Sequence, residues 1–197
     1  MKKKGLYQIK DPDKKVKEYT LSVLTEDKAG LLNSITIILN RRKINIDSLN
    51  VSTTEVKGVS RFTIVVSSTK EKIIKVVNHI NKLIDVLGAF LYEEDEIYYQ
   101  EIALYKLSTK IFLKGDLVEK IIIRKYGAKI LKIEKDHTII QKTGTKAGTQ
   151  KLYDELKKFG EILEFARSGR VALSKKKRKT INFLRTLEKT KSNKLNI

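Results

Sequence analysis

Glu26-Asp27-Lys28-Ala29-Gly30-Leu31-Leu32-Asn33-Ser34-Ile35 is the stretch that decides how this chain folds. Before it, residues 19–25 alternate, with Leu21 and Val23 in phase, which is the period of a strand. After it, apolar residues fall at Leu31, Ile35 and Ile38 and again at Leu32 and Leu39, so residues 31–42 read as a helix with a broad buried face. Asn33, Thr36 and Asn40 lie on the opposite stripe. Gly30 has no Cβ and lets the backbone approach another molecule. The amides of Leu31 and Leu32 fall in the first turn, where they lack intrahelical partners. A helix start of this kind suits a carboxylate or a phosphate. Alone, the junction also reads as an ordinary strand–helix turn with Gly at the bend.

Working outward, residues 44–54 read as a second strand whose alternation slips near Ser48-Leu49, predicting a bulge. Val56-Lys57-Gly58 is a turn, and residues 60–66 return as a third strand to make a hairpin. Residues 71–83 carry Ile73, Val76, Val77, Ile80 and Leu83 on one helical face and Lys72, Lys75, His79 and Lys82 on the other. Residues 85–92 close with a fourth strand. The order β-α-β-β-α-β predicts a four-stranded antiparallel sheet with both helices on one face, the ferredoxin-like arrangement. A unit of about 75 residues is small for an independent core, and its second sheet face is expected to be bare, so pairing is expected.

Glu93-Glu94-Asp95-Glu96 reads as a solvated linker. The second half repeats the pattern: a strand at 101–106, a helix at 113–126, strands at 128–134 and 137–141, a loop at 144–148, a helix at 150–159 and a strand at 162–167, with Val171-Ala172-Leu173 extending the sheet. The expected organisation is a flexible basic arm at 1–17, one α+β domain at 18–96, a second ferredoxin-like α+β domain at 97–174, and a basic tail at 175–197. The tail opens with Lys175-Lys176-Lys177-Arg178-Lys179, and Ile181, Leu184 and Leu187 follow at three-residue spacing, so it reads as a frayed basic terminus, as a nucleic-acid or membrane-surface patch, or as a short docking helix.

The 197 residues carry 42 Lys and Arg against 23 Asp and Glu, a net charge of +19. Such a balance raises nucleic acid as a partner. Against it, 34 of the cations are Lys and they are scattered through both halves. An RNA-recognition motif shares β-α-β-β-α-β but needs aromatics on its first and third strands. Here the first strand's core run, residues 21–25, has none, and the third has only Phe62. The chain has no Cys, and no apolar segment follows its basic start, which together predict a cytoplasmic protein. There is no GxGxxG, P-loop, HExxH or Cys nucleophile. His79 and His137 stand on separate units in polar settings, and Ser168 beside Arg167 has no base placed near it in sequence. The chain is therefore expected to have no active site and no metal site of its own.

Three segments carry a resemblance. Thr25-Glu26-Asp27-Lys28-Ala29-Gly30-Leu31-Leu32 resembles the Glu-Asn-x-x-Gly junction of ACT domains, and Arg41-Arg42-Lys43-Ile44-Asn45-Ile46-Asp47-Ser48-Leu49 resembles the Arg-x-x-Asn-Ile-Glu-Ser-Leu segment of the small, regulatory subunits of acetolactate synthase. Val59-Ser60-Arg61-Phe62-Thr63-Ile64-Val65 and Leu83-Ile84-Asp85-Val86-Leu87 resemble the segments that follow, and residues 100–106 and 164–169 the C-terminal domain. The resemblance covers about residues 18–174. It implies a non-catalytic subunit, homodimeric through its ACT domain, that activates a large catalytic subunit and confers feedback inhibition by valine or another branched-chain amino acid, in valine, leucine and isoleucine biosynthesis. Thiamine diphosphate, Mg and FAD are then expected in the large subunit and no cofactor in this chain. The implied effector site is Asp27, Gly30, Leu31, Leu32 and Asn33 of one chain with Asn45 and Ile46 of the facing chain. Two residues depart from the pattern: Asp27 stands where the family usually has Asn, and Ser34 where it commonly has Arg. An Asp favours an ammonium but repels a carboxylate, so either weakened valine binding or a loss of sensing with activation retained is expected. A free-standing amino-acid sensor acting on a transcription factor is the further alternative, and no helix-turn-helix is found to support it.

Overall fold

The computed structural model describes residues 15–114, 124–160, 162–176 and 185–186. Most of the arm at 1–17, most of the helix expected at 113–126 and most of the tail at 175–197 lie outside the described residues. The chain divides into two units, Met1–Ile97 with Ser174–Ile197, and Tyr98–Leu173.

In the first unit β1 (Lys17–Glu26), α1 (Leu31–Arg41), β2 (Ile46–Thr53), β3 (Val59–Ser68), α2 (Lys70–Ile80) and β4 (Val86–Tyr92) follow one another. The strands form an antiparallel sheet in the order β2-β3-β1-β4. Both connections that hold a helix return to a strand that is not the immediate neighbour, which is the ferredoxin-like topology expected from the element order. The core lies between sheet and helices. Tyr19, Leu21 and Val23 of β1, and Phe62, Ile64 and Val66 of β3, meet Ile35, Ile38 and Leu39 of α1 and Ile73, Val76, Val77 and Ile80 of α2. Leu32 departs from its expected burial and is 40 % exposed, although it shares a helical face with fully buried Leu39. The difference lies along the axis: Leu32 is in the first turn, at the open end of the helix.

The second sheet face is not bare, contrary to expectation. Leu24, Val56 and Val59 are buried there, with Leu87 and Phe90 packed against them. The β2–β3 turn brings this about. Val59 donates its amide to the Val56 carbonyl and Thr54 caps the same turn through its hydroxyl, which folds Val56 back onto the sheet. The bulge in β2 falls between Ile46 and Ser48, leaving Asp47 as the extra residue. The Ser67 hydroxyl holds the Asp47 carboxylate at 2.8 Å.

Helix α1 ends with the Lys43 amide donating to the Asn40 carbonyl and the Ile44 amide to Leu39, the paired bonds of a Schellman motif. Lys43 occupies the left-handed position at φ 54°. A side chain there is strained, so Lys43→Gly is expected to raise stability by about 0.5–1 kcal/mol. A thermal melt checks this, with Lys43→Ala giving no comparable gain.

The acidic stretch after β4 is a built turn rather than a solvated linker. Glu94–Glu96 forms a 3-10 turn closed by a reciprocal capping box between Glu93 and Glu96. Lys17 Nζ lies 3.0 Å from Glu93, Lys70 Nζ 3.6 Å, and the Lys175 amide donates to the Glu96 carbonyl. Lys17 and Lys176 hold the Glu93 and Glu96 carboxyls below the ordinary range. The capping box is local, and the lysine contacts that tie the turn to the rest of the unit come from distant segments. Exposed pairs of this kind each add no more than about 1 kcal/mol.

In the second unit β5 (Ile97–Ser108), β6 (Lys129–Ile133), β7 (His137–Gly144), α3 (Lys146–Phe159), β8 (Ile162–Arg167) and β9 (Val171–Ser174) build a sheet in the order β6-β7-β5-β8, with β9 also pairing β5. The order mirrors the first sheet. Ala103, Tyr105 and Leu107 of β5 and Ile140 of β7 pack against Leu152 and Leu156 of α3. The loop expected at 144–148 is instead the end of β7 and the first turn of α3. Thr145 caps that helix, its hydroxyl accepting from the Gly148 amide at 3.2 Å, and the cap outweighs the low helix propensity of Gly148.

Candidate functional site

The junction between β1 and α1 is pinned from both sides. The Glu26 amide donates to the Asp85 carbonyl and the Asp27 amide to the Gly58 carbonyl, both at 3.0 Å. Ser60, at the start of β3, donates its hydroxyl to Asp27 Oδ1 at 2.9 Å. Lys28 Nζ sits 2.7 Å from both Asp85 Oδ1 and Glu26 Oε2, and these two carboxylates raise its pKa above the ordinary lysine value. Gly30 follows at φ 88°, in the region that favours glycine, and serves as N-cap without any side-chain cap. A Cβ added to Gly30 would meet nothing within 4 Å, so the cost of a side chain there is conformational and the space beside it is open.

Ser34 is the first amide to bond back along α1, to the Gly30 carbonyl at 3.2 Å. The amides of Leu31, Leu32 and Asn33 therefore have no intrahelical acceptor. No acidic side chain occupies the first turn. Asn33 is exposed and Leu31 is buried in the core, so the junction presents backbone donors rather than a side-chain pocket. With the helix dipole behind them, such donors favour a carboxylate.

Asn45 and Ile46 stand elsewhere. Asn45 is exposed ahead of β2, and Ile46 is half-buried against the core and opposite Val66. Register fixes the separation. Thr53, Ser60 and Thr25 share one row across β2, β3 and β1, whereas Ile46, Val66 and Tyr19 share another. Six residues of strand separate the rows, about 20 Å. Within one chain the fold keeps Asp27, Gly30, Leu31, Leu32 and Asn33 together and places Asn45 and Ile46 at the far end of the sheet. Sequence reasoning missed Ser60, Gly58, Lys28 and Asp85, the residues that hold the junction. Their roles come from pairing between distant segments, and no local pattern marks them.

Among the described residues no group of His, Asp and Glu could hold a metal ion. His79 is exposed, and His137 Nδ1 lies 2.9 Å from Asp136. No described helix is long and apolar enough to cross a membrane.

Residues 21–88 match the family model of the AHAS small subunit-like ACT domain, and residues 100–176 match that of the small subunit of acetolactate synthase. The acetolactate synthase small subunit of Mycolicibacterium smegmatis is 36% identical over 157 residues, 80% of this chain and 91% of that one. The chain belongs to the acetolactate synthase small-subunit family. Small subunit 2 of Arabidopsis thaliana chloroplasts is 35% identical over 159 residues, which is 80% of this chain and 32% of that longer protein. The crystal structure of the Thermotoga maritima small subunit has the same fold, with a TM-score of 0.72 at 24% identity, covering 82% of this chain and 99% of that one. In this small-subunit chain the ACT match spans the whole β1–α1 junction and the start of β2, and the second match spans β5 to β9.

Proposed function

We propose that this chain is the non-catalytic regulatory subunit of acetolactate synthase, and that it activates the thiamine-diphosphate-dependent large subunit and makes it sensitive to valine. Thiamine diphosphate, Mg and FAD belong to the large subunit in this reading. The observation that carries it is the start of α1, where Gly30 leaves open space beside backbone amides that no side chain caps. The separation of Asn45 from Gly30 agrees with a dimeric site. β2 is an edge strand of its sheet. A twofold axis through that edge sets β2 antiparallel to its copy, so the copy's start lies beside Thr53, at the end of the sheet that holds Gly30. The valine carboxylate then meets the amides of Leu31, Leu32 and Asn33, and Asn45 and Ile46 of the facing chain reach its amino group and side chain.

The test is acetolactate synthase activity of the large subunit from the same organism, with and without this chain, across a valine titration. Activation reversed by valine supports the reading. Activation without a valine response leaves a scaffold that has lost its sensor. Absence of both activation and association overturns it.

Asp27 sets the strength of the response. Its carboxylate is held by Ser60 beside the helix start that receives the ligand carboxylate. Two like charges about 4 Å apart repel by about 1 kcal/mol even at the dielectric of water. Asp27→Asn keeps an oxygen for Ser60 and removes the charge. It is expected to tighten valine binding roughly five-fold, since 1.4 kcal/mol corresponds to tenfold. Calorimetric titration of the isolated chain measures this, and an unchanged affinity would remove Asp27 from the site.

A further inference from the structure

Arg61 lies on β3, on the sheet face turned away from α1 and α2, with Ser52 of β2 and Leu24 of β1 opposite it in the register. Its two neighbours along the strand, Ser60 and Phe62, point to the helix side, where Phe62 joins the core. The Arg61 side chain is half-buried and its Nε is sealed from solvent with no hydrogen-bond partner. Nearby carboxylates are engaged elsewhere. Glu26, diagonal to Arg61 on β1, turns to Lys28; Asp85 does the same; Asp27 takes the Ser60 hydroxyl. Leu24 and Val59 are buried on the same face, so the Arg61 side chain leaves the sheet beside apolar residues.

A buried donor without an acceptor is destabilising, so an acceptor supplied from outside the chain gains the energy of the missing bond. Arginine in an apolar surround is suited to bidentate pairing with a carboxylate, because the planar fork matches both oxygens and is more weakly hydrated than an ammonium. A second copy added through the β2 edge extends the sheet in its own plane and leaves this face as it is. The chain carries 23 Asp and Glu against 42 Lys and Arg, and its net charge of +19 favours an acidic partner over a second copy of itself. On the reading that this chain regulates acetolactate synthase, we propose that Arg61 is a docking point for a carboxylate side chain of the large catalytic subunit. The carboxylate seats on the guanidinium between Ser52 and Leu24, and closing of the surrounding apolar surface strengthens the pair. Arg61 adjoins Ser60, which holds the effector loop through Asp27. Docking and effector binding therefore share one short segment of β3, and any coupling between them is reciprocal.

The experiment measures the affinity of the full chain for the large subunit of the same organism by calorimetry, at low and high salt, for the wild type, Arg61→Met and Arg61→Lys. Arg61→Met is expected to weaken association about thirty-fold, the effect of an interface hot spot. Its melting temperature is expected to equal or exceed that of the wild type, since an unpaired buried donor is removed. Arg61→Lys is expected to fall between the two, because an ammonium offers a point charge without the fork. The salt dependence of association is expected to shrink in Arg61→Met. Association of Arg61→Met within threefold of the wild type overturns the docking role and leaves the regulatory reading standing. A wild-type chain that neither binds nor activates the large subunit overturns both.

Discussion

Ile64→Ala is expected to lower the stability of the first unit by about 3–5 kcal/mol, the upper range for truncating a buried isoleucine. Ile64 is fully buried at the middle of β3, an interior strand of the sheet. Its row across the sheet is Leu49, Ile64, Leu21 and Leu91, and all four belong to the core shared with α1 and α2. Removing three carbons there leaves a void that two helices and two flanking strands must close together. Neighbours of that kind relax little, so the cavity adds to the lost transfer energy. Alanine also fits a strand less well than a β-branched residue, which adds to the loss. A small domain holds about 5–15 kcal/mol in total, so the loss takes a large part of it. Urea unfolding of the two variants Ile64→Ala and Ile64→Val measures the effect, with Ile64→Val expected to cost about 1 kcal/mol. A loss below about 1.5 kcal/mol for Ile64→Ala would mean that the helices settle onto the sheet and the core is not closely packed.

Thr149→Val is expected to cost the second unit about 2–3 kcal/mol, the range for a hydrogen bond to a charged group. Thr149 is fully buried in the first turn of α3, and its hydroxyl lies 2.6 Å from Glu101 Oε1 on β5 and 3.0 Å from the Lys146 carbonyl. A hydroxyl carries one proton, and the short distance to a carboxylate assigns it to Glu101. Among the described residues the other contact to that carboxylate is Arg167 Nη1 at 3.6 Å, too long for a good hydrogen bond. Valine has the shape of threonine, so packing is preserved and the measurement isolates the lost bond. Glu101 is left buried with one loose partner. The double variant Thr149→Val with Glu101→Gln is expected to recover part of the loss, because the amide needs less solvation than the carboxylate. The thermal midpoint of the full chain, followed in the transition assigned to this unit, reads both. Additivity of the two substitutions would show that they do not form a pair. The Tyr105 hydroxyl donates to the Thr149 carbonyl at 2.7 Å, so the same turn of α3 is tied to β5 twice.

Where the signal was local, the elements were legible. The alternation of Leu21 and Val23 and the helical spacing of Leu31, Ile35 and Ile38 place β1 and α1 within two residues of where they lie. The bend at Gly30, the bulge near Ser48 and the β-α-β-β-α-β order are also readable, because each depends on residues adjacent in the chain. Strand β5 runs six residues beyond the expected 101–106 at its two ends together, from Ile97 to Ser108, and it pairs with β9, a segment about 70 residues away. The turn at Glu94–Glu96 has a local capping box, but its contacts with Lys17, Lys70 and Lys175 join segments that no window of sequence brings near it.

The candidate site divides along the same line. A flexible Gly before an apolar helix and an Asn before the next strand are properties of composition and spacing, and the sequence by itself determined them. That Asp27 is held by Ser60, that Lys28 bridges Glu26 and Asp85, and that the Ile46 row lies about 20 Å of strand from the Thr25 row were decided only by the tertiary structure. The physical reason is range. Periodicity and backbone freedom act over one or two turns of chain, whereas strand register and ion pairing join residues by their position in the sheet, and that position exists only once the chain has folded.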